Sequence, residues 1–456
     1  MKTELIARGQ IDPWQVYLNL PESSTNFILD SSQQDAYLAR YSFMSCSPKR
    51  MIRVKDTLVE IREGQDEWQI TNLNPLDIIE AWLQEQSETG DCPFPFAGGM
   101  VGYIGYDFSA GTTSRANNTN DDLKTYDLYM GLYSWYLVYD RQENELWLVS
   151  IDDSCPSADE LQKLIVESIP SGGVKCDDIQ SNFSSEDYLR AIQAAQERIC
   201  VGDIYQVNLS QRLSFNIEGD PRRLYEVMRR ISPSSFAAYL DFPEYSVAST
   251  SPELFLRVRD KMIETRPIKG TRPRISDPEQ DRVMHDELRD SEKDRAELLM
   301  IVDLMRNDLG RICRTGSIAV DEMFAVRTYA TVHHLDSVIR GQLREDITIK
   351  DVIDATFPGG SITGAPKRMA MDIIDKLEPT ERGIYTGSLG YFSYNKNIDL
   401  NIIIRTLVVK DGKGYYQTGG GITSDSDPQA ELEETWHKAR VLMEAIDEVK
   451  NDGSMV

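Results

Sequence analysis

Thr265-Arg266-Pro267-Ile268-Lys269-Gly270-Thr271 sets a single lysine between a proline-stiffened approach and a glycine. The proline fixes the backbone on one side of the amine, and the glycine clears bulk from the other. Working outward, residues 247–256 read as strand and turn through Ser251-Pro252-Glu253, and residues 261–265 as the returning strand. That hairpin-like spacing brings Glu253 toward Lys269. A carboxylate beside an amine is what proton handling around a lysine nucleophile requires, although a lone lysine is otherwise an ordinary solvated charge.

On the N-terminal side, Ser184 caps a helix with Asp187 at its capping-box position. Leu189, Ile192 and Ile199 supply its apolar stripe, and Gly202-Asp203 ends it. Residues 204–210 then read as a strand whose alternation puts Gln206, Asn208 and Ser210 on one face, either toward solvent or lining a pocket. Residues 169–185, rich in Pro, Gly, Asp and Ser, form the best linker candidate. Upstream, residues 1–170 read as a β-rich half, with strand composition around 27–29, 51–59, 132–139 and 146–151. The glycine-dense stretch 98–106 lacks the context of a dinucleotide-binding turn and reads as close sheet packing.

On the C-terminal side, residues 286–309 read as one long helix. Leu298, Val302, Met305 and Leu309 form its buried stripe, and Asp290, Asp294 and Glu297 stack their carboxylates along another face. A second acidic helix begins at Asp427-Pro428. Glu431, Glu434 and Lys438 share one face, and Leu432, Ala439, Met443 and Ile446 the other. An acidic helix face is usually only solvated. Two of them at matched spacing, with no cluster of His or Cys to compete, offer oxygen ligands to a hard cation such as Mg²⁺.

Between these helices, residues 357–367 are a loop of glycines and hydroxyls before a helix running through Ile374 and Leu377. Such a loop offers backbone N–H groups to an anion, without the Walker A spacing. Residues 326–332 read as a strand leading into His333-His334. Residues 383–422 read as a three-stranded meander with a tight turn at Asp411-Gly412. Asn401, Ile403 and Arg405 share a face of its middle strand. An arginine among isoleucines needs a partner, and a substrate carboxylate would serve through a bidentate contact.

Bulk properties narrow the function. The 456 residues allow two domains or one large composite one, and a net charge of −25 argues against nucleic acid. That charge also repels anions at long range, so an anionic substrate requires local cations in its site. No run of eighteen apolar residues spans a membrane. The opening Met1-Lys2-Thr3-Glu4-Leu5 has neither a signal-peptide core nor transit-peptide bias, and six cysteines without a CxxC spacing read as reduced thiols. The expected location is cytoplasmic.

These stretches together resemble the chorismate-utilising enzymes, most closely the branch that makes aminodeoxychorismate. The matching segments are Gly202-Asp203-Ile204-Tyr205-Gln206-Val207-Asn208-Leu209, Ser251-Pro252-Glu253, Arg266-Pro267-Ile268-Lys269-Gly270-Thr271, residues 297–311, His333-His334-Leu335, residues 357–367 and residues 419–440. The N-terminal half matches more loosely, through Phe27-Ile28-Leu29-Asp30-Ser31 and Arg40-Tyr41-Ser42-Phe43. The resemblance implies an α+β fold of large, mainly antiparallel β-sheets flanked by helices, with a chorismate-binding catalytic half over 184–456. It implies Mg²⁺ bound directly by Glu297 and Glu434, with Asp294 and Glu431 outside them; some relatives carry Glu where Asp294 stands. Arg405, Lys438, Tyr385 and the N–H groups around Gly419 and Gly421 would hold the substrate carboxylates, with Ser361 nearby.

Lys269 separates the branches. Anthranilate-forming relatives typically carry alanine there, and ammonia adds directly at C2 of the ring. In the aminodeoxychorismate branch the lysine is implied as the nucleophile, with Glu253 as general acid/base and His334 as an orienting or proton-transfer group. Gln206 stands where isochorismate and salicylate synthases carry a lysine base, which water requires and ammonia does not. The expected reaction is amination of chorismate to 4-amino-4-deoxychorismate, on the route to 4-aminobenzoate and folate. No cysteine sits in a nucleophile-elbow setting, so a separate glutamine amidotransferase subunit is the expected partner. The rival readings are an anthranilate-forming component I that tolerates Lys269, and a non-catalytic chorismate or tryptophan sensor.

Overall fold

A computed structural model describes residues 1–452, except 22, 24, 34, 36, 87–91, 109–119, 153, 167–171 and 331. Among these residues two large antiparallel sheets, of thirteen and twelve strands, form the centre of the molecule. The fold is α+β, as expected.

Each sheet draws strands from both ends of the chain. In the first, Asn26–Asp30 pairs with Phe236–Asp241. In the second, Gly99–Ile104 pairs with Ser388–Ser393. The β-rich stretch over 1–170 and the stretch over 184–456 therefore do not each own a sheet. The expected linker is also partly structured: positions 169–171 lie outside the described residues, but Val174–Cys176 and Gln180–Ser181 pair along the strand Gln206–Gly219. Gly102 shows why glycine is dense in 98–106. A Cβ there would fall 2.1 Å from the Tyr129 carbonyl oxygen on the neighbouring strand.

An aromatic layer joins the sheets, with Phe27, Phe43 and Tyr136 from the first meeting Tyr103, Tyr129 and Tyr391 from the second. Helices cover the outer faces. Leu298, Val302, Met305 and Leu309 pack against Leu256, Leu335 and Ile339 of the second sheet. Ala439, Leu442 and Ile446 pack against Leu213, Phe215 and Tyr416 of the first. Met443, expected on that apolar face, is 38% exposed and Leu442 takes its place. A cavity of about 570 Å³ between the sheets, lined by Leu29, Ser31, Phe43, Arg259 and Tyr391 among others, contains none of the expected site residues.

Three expected elements differ in detail. The helix over 286–309 is two helices, Pro278–Asp290 and Glu292–Gly310, parted at Ser291, whose side chain caps the second. Asp290 thus belongs to a different helix from Asp294 and Glu297. The strand expected over 326–332 is instead the end of Ala319–Thr328 and the start of Val332–Gln342, and the two histidines lie inside the latter strand. The meander is four strands divided between the sheets: Ser388–Ser393 and Ile398–Asn401 in the second, Thr406–Lys410 and Lys413–Ile422 in the first. Arg405 therefore sits at the crossover rather than on a strand face shared with Asn401 and Ile403. Its backbone is left-handed (φ 50°) and its carbonyl accepts from the Thr250 N–H at 3.0 Å. Crossing between sheets requires a turn that a regular strand cannot make, and the arginine pays local strain to be there.

Candidate active site

Lys269 lies on Ile268–Pro273, an edge strand of the second sheet that pairs with Val332–Gln342, Lys269 opposite Leu335 and Thr271 opposite His334. The register shifts at Gly270, whose φ is 71°. A Cβ there would fall 2.8 Å from both Asp294 Cγ and Leu288 Cδ1. Only glycine lets the lysine strand press so closely on the acidic helix.

Opposite stands the strand Gln206–Gly219 of the first sheet, paired with Lys413–Ile422 so that Asn208 faces Gly421 and Ser210 faces Gly419. Gln206, Asn208 and Ser210 are buried, which excludes the solvent-facing reading, and the Ser210 hydroxyl donates to Glu378 at 2.8 Å. The Gln206 amide lies over Gly421: a Cβ on that glycine would be 2.1 Å from Gln206 Nε2 and 3.5 Å from Lys269 Nζ. Lys269 Nζ donates to the Ser361 carbonyl at 3.3 Å. Gln206 Oε1 is buried without a hydrogen bond among the described residues, whereas Asn208 Nδ2 and Ser361 Oγ, though without a well-formed bond, lie close enough to Tyr385 and Glu253 to act on them. A buried amide oxygen without a partner suits a polar ligand.

Glu253 is buried beside them. Burial raises its carboxyl pKa, while the Ser361 hydroxyl, the Lys269 ammonium, the Ile268 N–H and the Arg405 guanidinium act in the opposite direction. Its carbonyl accepts from the Ile402 N–H at 3.0 Å, which anchors it to the crossover segment. The half-buried Arg405 makes no hydrogen bond or ion pair through its guanidinium among the described residues, and burial lowers its pKa. An open guanidinium at the end of a closed site fits an anionic ligand. His334 is buried, its Nδ1 2.9 Å from Thr271 Oγ1. Burial, then the Arg405 charge, pushes its pKa down to about 3, the Gly270 backbone opposing. The imidazole is therefore neutral at physiological pH. His333 is turned to structural use, bonded to Thr328 Oγ1 at 2.9 Å and Asp281 Oδ1 at 3.0 Å.

The two acidic helix faces meet at this site. Glu297 and Glu431 side chains are 15% and 6% exposed, whereas Glu434 is 50% exposed. Burial raises the pKa of Glu297 and of Glu431, and the nearby carboxylates add to it. Each carboxylate has a basic neighbour. Lys293 Nζ is 3.8 Å from Glu431 and 4.0 Å from Glu297, Lys438 Nζ is 2.7 Å from Glu434, and Arg272 is 3.2 Å from Asp294. Among the described residues no three acidic, histidine or cysteine side chains close on one point. The Lys293 ammonium, 57% exposed, reaches toward both helices, and the carboxylate oxygens of Glu297, Glu431 and Glu434 are of the hard type that Mg²⁺ takes. Lys438 Nζ also donates to the Gly419 carbonyl at 2.8 Å, and Tyr385 is buried next to Asn208. A Cβ on Gly420 would be 3.0 Å from Glu431 Oε2 and 3.9 Å from Lys438 Nζ, which ties the strand to the acidic helix.

The fold thus brings Lys269, Gln206, Glu253, Ser361, His334, Arg405, Gly421 and the acidic faces close together where the two sheets approach. Sequence reasoning missed Lys293, whose place between the helices needs both partners in hand. It also missed Glu378 and Arg382, a buried ion pair at 2.7 Å whose spacing of four residues was the one available signal.

An open guanidinium, nearby lysines and a buried amide oxygen without a partner are groups that suit a small anion with polar substituents. The chain belongs to the chorismate-binding enzyme family, whose model matches residues 59–444. It is 35% identical to aminodeoxychorismate synthase component 1 of Bacillus subtilis over 446 residues, covering 95% of this chain and 94% of that one. It is 36% identical to anthranilate synthase component 1 of Aquifex aeolicus over 464 residues, covering 98% and 94%. Among solved structures it resembles anthranilate synthase component I from Streptococcus pneumoniae, with a TM-score of 0.78, 29% identity and coverage of 96% and 99%. Among the described residues no helix is long and apolar enough to cross a membrane.

Proposed function

We propose that the protein aminates chorismate to 4-amino-4-deoxychorismate, with ammonia supplied by a glutamine amidotransferase partner. The observation that carries this reading is Lys269, its amine set among the Gln206 amide, the Ser361 carbonyl and the Glu253 carboxyl. Arg405, Lys438, Tyr385 and the N–H groups around Gly419 and Gly421 hold the substrate carboxylates. Lys269 Nζ, as the free amine, then attacks C2, the two ring double bonds shift from C1=C2 and C5=C6 to C1=C6 and C4=C5, and the C4–O bond breaks. Glu253, whose pKa burial raises, protonates the departing hydroxyl so that water leaves. Ammonia, hydrogen-bonded by Gln206, adds at C4, the double bonds return, and the C2–N bond to Lys269 breaks. His334, neutral and bonded to Thr271, orients the lysine strand. Glu297 and Glu434, with Asp294 and Glu431 behind them, would hold Mg²⁺, which when bound offsets negative charge on the helices and the substrate. The test is Lys269→Ala, which should abolish the 4-amino product; a variant making it at the parental rate overturns covalent catalysis. Anthranilate formation is the second reading, favoured by relatives of that name at similar identity.

A further inference from the structure

We propose that Glu378 and Arg382 form a positioning brace that sets the nucleophile wall of the cleft, a role resting on the chorismate-amination reading above. The two side chains are 2% and 1% exposed, and neither belongs to the catalytic or metal-binding set. All five N–H donors of the guanidinium are used. Nε donates to Glu378 Oε2 at 3.0 Å, and one terminal nitrogen to Glu378 Oε1 and the Asn208 carbonyl, both at 2.7 Å. The other donates to the Ile362 carbonyl at 2.9 Å and Thr386 Oγ1 at 3.3 Å. Glu378 Oε1 in turn accepts from both the N–H and the hydroxyl of Ser210, each at 2.8 Å.

These contacts fall on three separate segments. Asn208 and Ser210 belong to the strand that carries Gln206. Ile362 follows Ser361, whose carbonyl receives Lys269. Thr386, held in a left-handed backbone (φ 60°), follows Tyr385. One buried pair therefore fixes the Gln206 wall against the turn that receives the Lys269 amine. Matched apolar side chains would leave no ion buried alone, but they would strip the Asn208 and Ile362 carbonyls and the Ser210 N–H of these partners and could not aim the segments that carry them. The pair does not touch Arg405 or Lys438, so the two charged groups proposed to hold the substrate carboxylates stand apart from it; of that set it meets Tyr385, whose ring lies 5.8 Å from the Arg382 guanidinium.

The test uses the full chain with chorismate, Mg²⁺ and ammonium, in two variants. Arg382→Lys keeps the charge but cannot serve five acceptor contacts in one plane. Glu378→Leu with Arg382→Met removes both charges together, so that no ion is left buried alone. Both should lower kcat at least tenfold, with KM for chorismate within threefold of the parent; Arg382→Lys should melt within about 5 °C of it and the double variant lower, since buried polar groups lose their partners there. Parental kcat in either folded variant overturns the brace, as does a rise in chorismate KM that accounts for the loss, or an Arg382→Lys variant that does not fold. Chorismate consumption by the parent chain, whichever product forms, is measured alongside. Its absence would sink the functional reading and, with it, the brace; its presence leaves the brace to stand or fall by the variants alone.

Discussion

His334 makes the stability of this protein depend on pH in a way its surface charge does not. Its pKa is pushed from the ordinary 6.5 down to about 3, by burial first and the Arg405 charge second. The sign follows from which state binds the proton. Between those two values the unfolded imidazole is protonated and the folded one is not, so acid favours unfolding. The contribution is fully present above pH 6.5 and is lost as pH falls toward 3. Each pH unit inside that window is worth about 1.4 kcal/mol, giving about 2 kcal/mol at pH 5 and up to about 5 kcal/mol by pH 3. His334→Asn removes the titration while keeping a polar group near Thr271. Chemical unfolding at pH 7.5, 6 and 5 should show the parent losing about 2 kcal/mol more than the variant over that range. The other titrating groups act on both proteins and cancel in the difference. Equal pH dependence in the two would refute the neutral, buried histidine and return proton transfer to its possible roles.

Further outcomes follow from the same geometry. Chelation should abolish activity and Mg²⁺ restore it, with Glu297→Gln and Glu434→Gln each raising the Mg²⁺ requirement strongly; full activity in excess EDTA would refute the metal reading. Gly421→Ala should leave the melting temperature near the parent's but slow turnover at least tenfold, since the new methyl must push the Gln206 amide aside, 2.1 Å away, toward Lys269; unchanged turnover would detach Gln206 from the reaction. Gln206→Lys with Lys269→Ala, assayed by chromatography without ammonium, should form some isochorismate, because a base now faces the substrate where water can attack. If that variant folds and binds chorismate yet forms none, Gln206 does not select the nucleophile.

Local patterns in the sequence were legible where one element decides its own residues. The Ser184 cap accepts from the Asp187 N–H, the stripe Leu298–Val302–Met305–Leu309 is buried, and Gly99 and Gly102 of the stretch 98–106 are packed in a sheet. Legibility failed where a distant neighbour decides. No proline or glycine marks Ser291, and the stretch between Leu288 and Ala296 holds no apolar residue whose spacing could show a break, yet the serine ends one helix and caps the next. Alternation on 401–405 is real in the sequence, but the chain leaves one sheet and enters the other there, so Arg405 is aimed by the crossover. Lys293's partner Glu431 and two of the acceptors of Arg382, the Asn208 and Ile362 carbonyls, come from segments far apart in the chain, and no local pattern names them. Lys269 and Gln206 were legible as types at matched motifs; that they share one glycine, Gly421, as neighbour is visible only in the fold.

The measurement that tests the central claim most directly is the identity of the product when the purified chain meets chorismate, Mg²⁺ and ammonium at alkaline pH. The account predicts 4-amino-4-deoxychorismate from the parent and its loss in Lys269→Ala. Anthranilate as the product of the parent chain would contradict it.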